Sequence, residues 1–341
     1  MFFKSIFIDL GIDLGTANTI VYAKNRGILV NEPSYIAFDR KHRLIALGEE
    51  AKKMWGRTSS SSIDIKRPMV DGVVADFIAG DAMIRGFIRS AKISKIRIGK
   101  VVMGVPTGAT SVEKRSMIAS AKAAGARRVY LISEPIAAAI GLGLDIKGRK
   151  ANMVVDIGGG TTDIAVVNYG GIVVDNTIRV AGDELDKAIK NYLRKEYNIR
   201  IGDIAAEKLK IKRATISDSY KGKKFSIRTL DHISGGVRIF ELPAIWFKDA
   251  LKDVIQAILT AILHVLESLP VELASDIIDR GMILTGGGAL LTGLSTLIKN
   301  KTNLPIIVPD DPLMSVAKGI SEVIKDLKNY QDVLISSSYS E

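Results

Sequence analysis

Two motifs with the residue types of phosphate-binding loops lie 143 residues apart in this chain of 341 residues. Each is a short apolar run that ends in an aspartate and continues into small, hydroxylated or glycine residues, Ile12 to Thr19 and Val155 to Thr162. Glycine lets the backbone turn tightly and approach an anion closely, and successive N–H groups form an anion-binding concavity. The candidate phosphate contacts are Gly15, Thr16, Ala17, Asn18, Gly158, Gly159, Gly160 and Thr161.

An aspartate stands beside each loop, Asp13 at the first and Asp156 at the second. A carboxylate would repel a bare phosphate, so the pairing favours a divalent cation, most simply Mg²⁺, between the two. Two such loops predict a nucleoside triphosphate clamped between two lobes. The alternative is a pair of ordinary glycine-rich hairpins, but recurrence in matched context favours the phosphate interpretation. The Walker A pattern GxxxxGK[ST] is absent from the sequence, which excludes the P-loop class.

Length and composition indicate a globular protein of two domains. Hydrophobic residues make up 47% and charged residues 25% of the chain, and no apolar run reaches the length of a membrane span. The absence of cysteine excludes disulfides and thiolate metal sites and is typical of a reducing cytoplasm. The net charge is +11, and residues 187–228 hold 13 Lys or Arg against four Asp or Glu. This bias could favour an anionic membrane surface or be a solvated face; without interleaved aromatic residues we expect no nucleic-acid partner.

Strands and helices can be placed coarsely around the loops. A capping box, Thr110 to Glu113, predicts the start of a helix, and a long helix is expected from Asp253 to Leu269. Residues 33–74 and 183–243 follow equivalent strand triplets and are interpreted as inserted subdomains. Residues 331–341 are polar and serine-rich and are predicted to be disordered. Residues 1–7 and 92–100 are candidate membrane-touching segments, with a plain surface loop as the alternative for the second.

An ordered set of motifs resembles the MreB family of bacterial actin homologues from about residue 12 to about residue 320. Single pieces such as DLGT are shared by actins, heat-shock chaperones and sugar kinases, whereas the ordered set is much more specific. It comprises IDLGTANT, NEPSYIA, RPMVDGVVADF, GVPTGATSVEKR, SEPIAAAIG, MVVDIGGGTTDIAVV, VAGDELD and ILTGGGALLTGL.

The resemblance implies an α/β, actin-like fold: two RNase H-like domains, each with an inserted subdomain, and ATP with Mg²⁺ in the interdomain cleft. Domain I would comprise residues 1–143 and 310–330, and domain II residues 144–309. Asp13 and Asp156 would hold the metal through its water shell. The adenosine motif would be Gly286, Gly287, Gly288 and Ala289. Glu207 and Lys210 match a family pair that contacts ribose and adenine; from the residues alone, a surface salt bridge is the simpler interpretation.

The resemblance also assigns the hydrolytic residues. Glu134 matches the glutamate that positions the attacking water, with Thr161 as its partner and Asp156 acting through the metal. Two departures affect this region: Ser133 stands where the family usually has a glutamate, and Asp163 replaces the glutamate that usually ends the second loop. Neither departure alters Glu134, so we expect the protein to retain ATP hydrolysis.

The function implied is a cytoskeletal ATPase that assembles head to tail with itself into membrane-associated filaments controlling cell shape. It would lie in the cytoplasm, peripheral to the inner face of the cell membrane. Two other classes share the phosphate loops. A heat-shock chaperone normally carries a peptide-binding domain after the ATPase, which we do not expect here. A monomeric actin-fold ATPase or small-molecule kinase is the remaining alternative, and substrate-stimulated phosphate transfer would reveal the kinase.

Overall fold

The computed structural model describes residues 7–58, 62–90, 97–220, 222–230 and 237–335. The strands are β1 (Phe7–Leu14), β2 (Asn18–Ala23), β3 (Gly27–Pro33), β4 (Ile36–Asp39), β5 (Leu44–Leu47), β6 (Ile63–Lys66), β7 (Met69–Val70), β8 (Val73–Val74), β9 (Arg97–Val105), β10 (Arg128–Ser133), β11 (Asn152–Ile157), β12 (Thr162–Asn168), β13 (Gly171–Ile178), β14 (Lys224–Leu230), β15 (Val237–Pro243), β16 (Met282–Thr285), β17 (Ile306–Ile307) and β18 (Leu334–Ile335). The α-helices are α1 (Gly48–Met54), α2 (Phe77–Ser90), α3 (Ser111–Ala123), α4 (Glu134–Gly141), α5 (Gly182–Tyr197), α6 (Asp203–Arg213), α7 (Trp246–Glu267), α8 (Val271–Arg280), α9 (Leu294–Thr302) and α10 (Ser315–Lys325).

Two sheets of similar topology form the centres of the two lobes. In the first, with strand order β18-β10-β9-β1-β2-β3, strands β1 to β3 form an antiparallel meander and β9 and β10 add in parallel beside β1. In the second, with order β13-β12-β11-β16-β17, strands β11 to β13 form the same meander and β16 adds in parallel beside β11. The repeated sequence motif therefore corresponds to a repeated arrangement of strands.

Helices α4 and α10 lie between the sheets. Their apolar side chains share one buried cluster with Val102 and Ile132 of the first sheet and with Val154 and Val167 of the second. The two helices approach so closely that a Cβ on Gly319 would overlap the backbone of Ala137. Helix α10 also packs on β1 and β9, so the end of the chain returns to the first lobe.

The regions interpreted as insertions carry small sheets of their own. Residues 33–74 contain the three-stranded sheet β5-β4-β6, helix α1 and the β7-β8 pair. Residues 183–243 contain most of α5, all of α6 and the β14-β15 hairpin. Leu185, Ile189 and Leu193 lie one turn apart on α5 and are all buried, which is the periodicity of an amphipathic helix.

Two expectations about local structure are corrected. Residues 331–335 do not form a disordered tail: Leu334 and Ile335 pair with β10, and Val333 is buried beside α4 and α10, because these apolar residues precede the serine-rich segment. Residues 336–341 lie outside the described part. Helix α7 begins at Trp246, before the expected Asp253, because Trp246, Phe247 and Leu251 already contribute to the core.

Only a small part of the two candidate membrane segments lies within the described residues. Residues 1–6 and 91–96, which hold most of both candidate membrane segments, lie outside the described residues, and Arg97–Lys100 forms the start of β9. In the part of the chain that is described, no helix combines the length and the apolar character needed to cross a membrane.

Candidate functional site

The two candidate phosphate loops have the same backbone geometry. Each joins two antiparallel strands, with Leu14 paired to Thr19 in the first and Ile157 to Thr162 in the second. In each, the first loop residue donates its N–H to the carbonyl of the fourth, Gly15 to Asn18 at 3.0 Å and Gly158 to Thr161 at 2.9 Å.

Within the described chain, the N–H groups of the central loop residues are left without an acceptor. These residues are Thr16, Ala17, Gly159 and Gly160. Unpaired N–H groups grouped in this way suit an anion.

The loops face each other across the lobes. A Cβ on Gly159 would lie 3.0 Å from Cβ of Ala17, and one on Gly160 would lie 2.7 Å from the hydroxyl oxygen of Thr16. That hydroxyl accepts the N–H of Gly72 at 2.8 Å. Glycine is therefore required here for close approach as well as for the turn.

Carboxylates converge behind the loops. Asp156, 7% exposed, lies at the end of β11 directly across from Asp163 in β12. Burial, followed by the charges of Asp163 and Asp13, raises the pKa of Asp156 to about 8. Burial also raises the pKa of Asp13 to about 7. Burial, and for Asp156 also the neighbouring like charges, therefore favours the neutral form of both carboxyl groups.

This arrangement fits a divalent cation shared with a phosphate. Among the described residues, no group of three or more His, Asp or Glu side chains could hold a metal by itself. Asp13 and Asp156 can supply two carboxylates, and phosphate oxygens and water would complete the oxygen coordination that Mg²⁺ prefers. A bound cation would favour the charged form of both carboxyl groups.

Glu134 is the first residue of α4 and belongs to the same electrostatic cluster. Burial comes first among the causes that raise its pKa well above the usual range, followed by the charges of Asp163, Asp13 and Asp156. Ser133, the N-terminal cap residue, has a buried hydroxyl without a hydrogen-bond partner in the described chain. Thr161 is also buried and lies two residues before Asp163. The structure thus brings the predicted hydrolytic residues to one place.

The predicted adenosine motif lies against the second loop. Gly286 has φ +77°, and a Cβ on it would overlap the carboxylate of Asp156 and the carbonyl of Ile157. Gly287, Gly288 and Ala289 continue into a short 3₁₀ turn, with the N–H of Ala289 bonded to the carbonyl of Gly286 at 3.2 Å. Only glycine tolerates this conformation at this distance from Asp156.

Glu207 and Lys210 lie on α6, but each pairs with a different residue. Glu207 accepts from Lys52 of α1 at 2.7 Å, which places an ion pair across the mouth of the cleft. Lys210 bonds Asp186 at 2.9 Å and the carbonyl of Gly182 at 2.7 Å, next to the second loop. The alternative of a salt bridge between Glu207 and Lys210 themselves is therefore not what the structure contains.

Further contacts between lobes were not predicted from sequence. Arg67 pairs with Asp183 at 2.8 Å, and the indole N–H of Trp55 donates to Asp203 at 3.2 Å. The partners are more than 100 residues apart in sequence, so no local pattern could have paired them. Together with the Lys52 pair, they link the small subdomains over the cleft.

Comparison with known proteins supports the same interpretation. The family model described as MreB/Mbl protein matches residues 7–332. The cell shape-determining protein Mbl of Bacillus subtilis is 42% identical over 321 residues, covering 94% of this chain and 96% of the relative.

The chain belongs to the MreB/Mbl family. The prediction of the family from sequence motifs is thereby confirmed. The crystal structure of MreB5 of Spiroplasma citri bound to AMPPNP superposes with a TM-score of 0.89 at 33% identity, covering 96% of this chain and 98% of that one. The MamK double helical filament, at 22% identity, gives a TM-score of 0.79 over 94% of this chain and 99% of that chain, and supports the fold alone. The predicted actin-like fold is also confirmed.

Proposed function

We propose that this chain is a cytoskeletal, actin-like ATPase that binds ATP with Mg²⁺ between its lobes and assembles into filaments that control cell shape. The observation that carries the proposal is the pair of matched loops, facing each other and backed by the carboxylates of half-buried Asp13 and buried Asp156. The MreB/Mbl relatives are named for cell shape determination, and MreB5 of Spiroplasma citri is bound to AMPPNP.

Nucleotide binding would use both lobes. Backbone N–H groups of Thr16, Ala17, Gly159 and Gly160 would bind phosphate oxygens, since they have no acceptor in the described chain. The glycine backbone from Gly286 would accommodate the adenosine. Glu207 would contact the ribose, and its ion pair with Lys52 would hold the mouth of the cleft closed over the nucleotide.

Hydrolysis would depend on Glu134 and Thr161. A bound Mg²⁺ would supply positive charge against the phosphate oxygens and the carboxylates. Glu134 would accept a hydrogen bond from the attacking water and orient it toward the terminal phosphate. The hydroxyl of Thr161 would be a second hydrogen-bonding partner for the same water. Phosphoryl transfer needs little covalent help, so positioning by these two side chains is their main contribution.

Assembly and location complete the proposal. Residues 1–143 with 310–330 and residues 144–309 would be the two domains, which agrees with the two sheets and with the packing of α10 on the first. Copies would stack head to tail, and the basic segment 187–228 would favour an anionic membrane surface. The filaments would lie on the cytoplasmic face of the membrane.

The test measures phosphate release and pelleting together across a protein concentration series with Mg-ATP. Release should rise with assembly above a critical concentration. Glu134→Ala should pellet but release phosphate slowly, and Glu134→Gln, which keeps the shape and removes the charge, should behave in the same way.

Hydrolysis without assembly would instead favour a monomeric actin-fold ATPase or a small-molecule kinase. If hydrolysis per molecule is independent of concentration and nothing pellets, with or without anionic liposomes, the cytoskeletal proposal fails. Phosphate transfer stimulated by a small-molecule acceptor would then indicate a kinase.

A further inference from the structure

Asp163 stands at the centre of a buried hydrogen-bond network. The residue is 1% exposed, and its Oδ1 accepts the N–H of Thr107 at 3.0 Å, the hydroxyl of Thr107 at 3.3 Å and the hydroxyl of Thr177 at 2.7 Å. The two threonine hydroxyls are also 2.6 Å apart.

This network crosses from one lobe to the other. Thr107 follows β9 of the first sheet, whereas Asp163 and Thr177 belong to β12 and β13 of the second. The N–H of Gly108 donates to Thr177 at 3.0 Å, and a Cβ on Gly108 would lie only 2.9 Å from Cβ of Thr177. The lobes therefore meet in direct contact behind the second phosphate loop, at a point fixed by one carboxylate.

We propose that Asp163 is a positioning residue for hydrolysis, which fixes the end of the second phosphate loop, and with it Thr161, against the first lobe through Thr107 and Thr177. The proposal rests on the proposed ATPase function. It deepens that function by assigning a role to an aspartate that replaces the usual glutamate. Opening of the lobes would release Thr107, so the orientation of Thr161 follows lobe closure.

Burial is the largest influence on Asp163 and raises its pKa, whereas the hydrogen-bond donors around it favour the charged form. Hydrogen bonds to a charged group are stronger than those between neutral groups, and this carboxyl group receives several donors. A neutral amide at the same position would weaken every one of these bonds.

The experiment is single-turnover phosphate release at saturating Mg-ATP, together with AMPPNP affinity and thermal melting. Asp163→Asn should lower the hydrolysis rate about tenfold, equivalent to about 1.4 kcal/mol, with AMPPNP affinity within about twofold. Thr177→Val should act in the same direction, and the double variant should lose little beyond Asp163→Asn because the two groups act as one unit. Asp163→Glu, which retains the charge, should recover most of the rate.

Thr162→Val is the matched control, since the Thr162 hydroxyl is buried in the same strand but bonds the carbonyl of Val180 within its own lobe. It should lose some melting temperature and little rate. Rates of the Asp163 and Thr177 variants equal to wild type, or losses that add fully, would overturn the inference while leaving the ATPase function intact. No hydrolysis by wild type would instead reject the proposed function. If Asp163→Asn does not fold, the hydrolysis rate of Thr177→Val alone decides whether the proposal stands.

Discussion

Replacing Asp156 by asparagine should stabilise the nucleotide-free protein at neutral pH. The carboxyl group is buried, and burial with the charges of Asp163 and Asp13 raises its pKa from 3.8 to about 8. The folded protein therefore binds a proton at Asp156 that the unfolded chain releases above pH 3.8. The stabilisation of the folded protein by the protonated Asp156 carboxyl group is complete below pH 3.8. It is lost as the pH rises toward 8.

The size of the effect follows from the same shift. Each pKa unit corresponds to 1.36 kcal/mol, so keeping this carboxyl protonated at pH 7 costs at most about 4 kcal/mol relative to the unfolded chain. Asparagine has nearly the same shape and needs no proton. The gain in the free energy of unfolding for Asp156→Asn should be near zero at pH 4 and reach roughly 2–4 kcal/mol at pH 7.

Urea denaturation with a metal chelator and no nucleotide, at several pH values between about 4 and 8, measures this gain. Asp76→Asn is a control for which the opposite change in stability is expected. Burial alone would raise the pKa of Asp76, but the hydrogen bond from Lys66 and backbone donors outweigh it and lower the pKa. Its replacement should destabilise the protein more as the pH rises. An Asp156→Asn variant that is less stable than wild type at pH 7, or whose gain does not change with pH, would refute the reasoning.

Three further variants test individual contacts. Gly286→Ala should destabilise the protein by at least about 2 kcal/mol in urea denaturation. Gly287→Ala should cost under about 1 kcal/mol, because its new Cβ meets only the flexible end of the Leu313 side chain. Equal losses of stability for the two variants would contradict the steric argument. Lys52→Met removes the ion pair with Glu207 and should therefore speed ATP dissociation about threefold to tenfold, as measured in a chase experiment. An unchanged dissociation rate would mean that this ion pair does not close the cleft. Val333→Ala should cost about 1–2 kcal/mol by thermal or urea unfolding, and a neutral result would contradict the buried placement of this residue.

Local patterns were sufficient to predict the two matched loops that are candidate phosphate sites, and several element boundaries. The capping box at Thr110 and Glu113 is formed as expected, with reciprocal bonds at the start of α3. The loops could be predicted because a tight turn after a buried strand is encoded in a few consecutive residues. The same locality explains why the repeat was visible in sequence.

Features that depend on tertiary packing were not predicted. The start of α7 was placed at Asp253, a local N-terminal signal, although burial of Trp246 extends the helix upstream. Val333 was grouped with the serines that follow it, although it packs beside α4 and α10. The bond from Thr107 to Asp163 joins residues 56 apart, and nothing in either local sequence specifies the other. The network between lobes is therefore known only from the structure.

The most direct test of the account is equilibrium binding of ATP to the protein below its assembly concentration, with and without Mg²⁺. A nucleotide bound between the two loops through Mg²⁺ predicts one nucleotide per chain, with affinity that falls about tenfold or more when Mg²⁺ is removed or when Asp156 is replaced by asparagine. ATP binding that is unchanged by both perturbations would contradict the placement of a metal-linked nucleotide between the two loops.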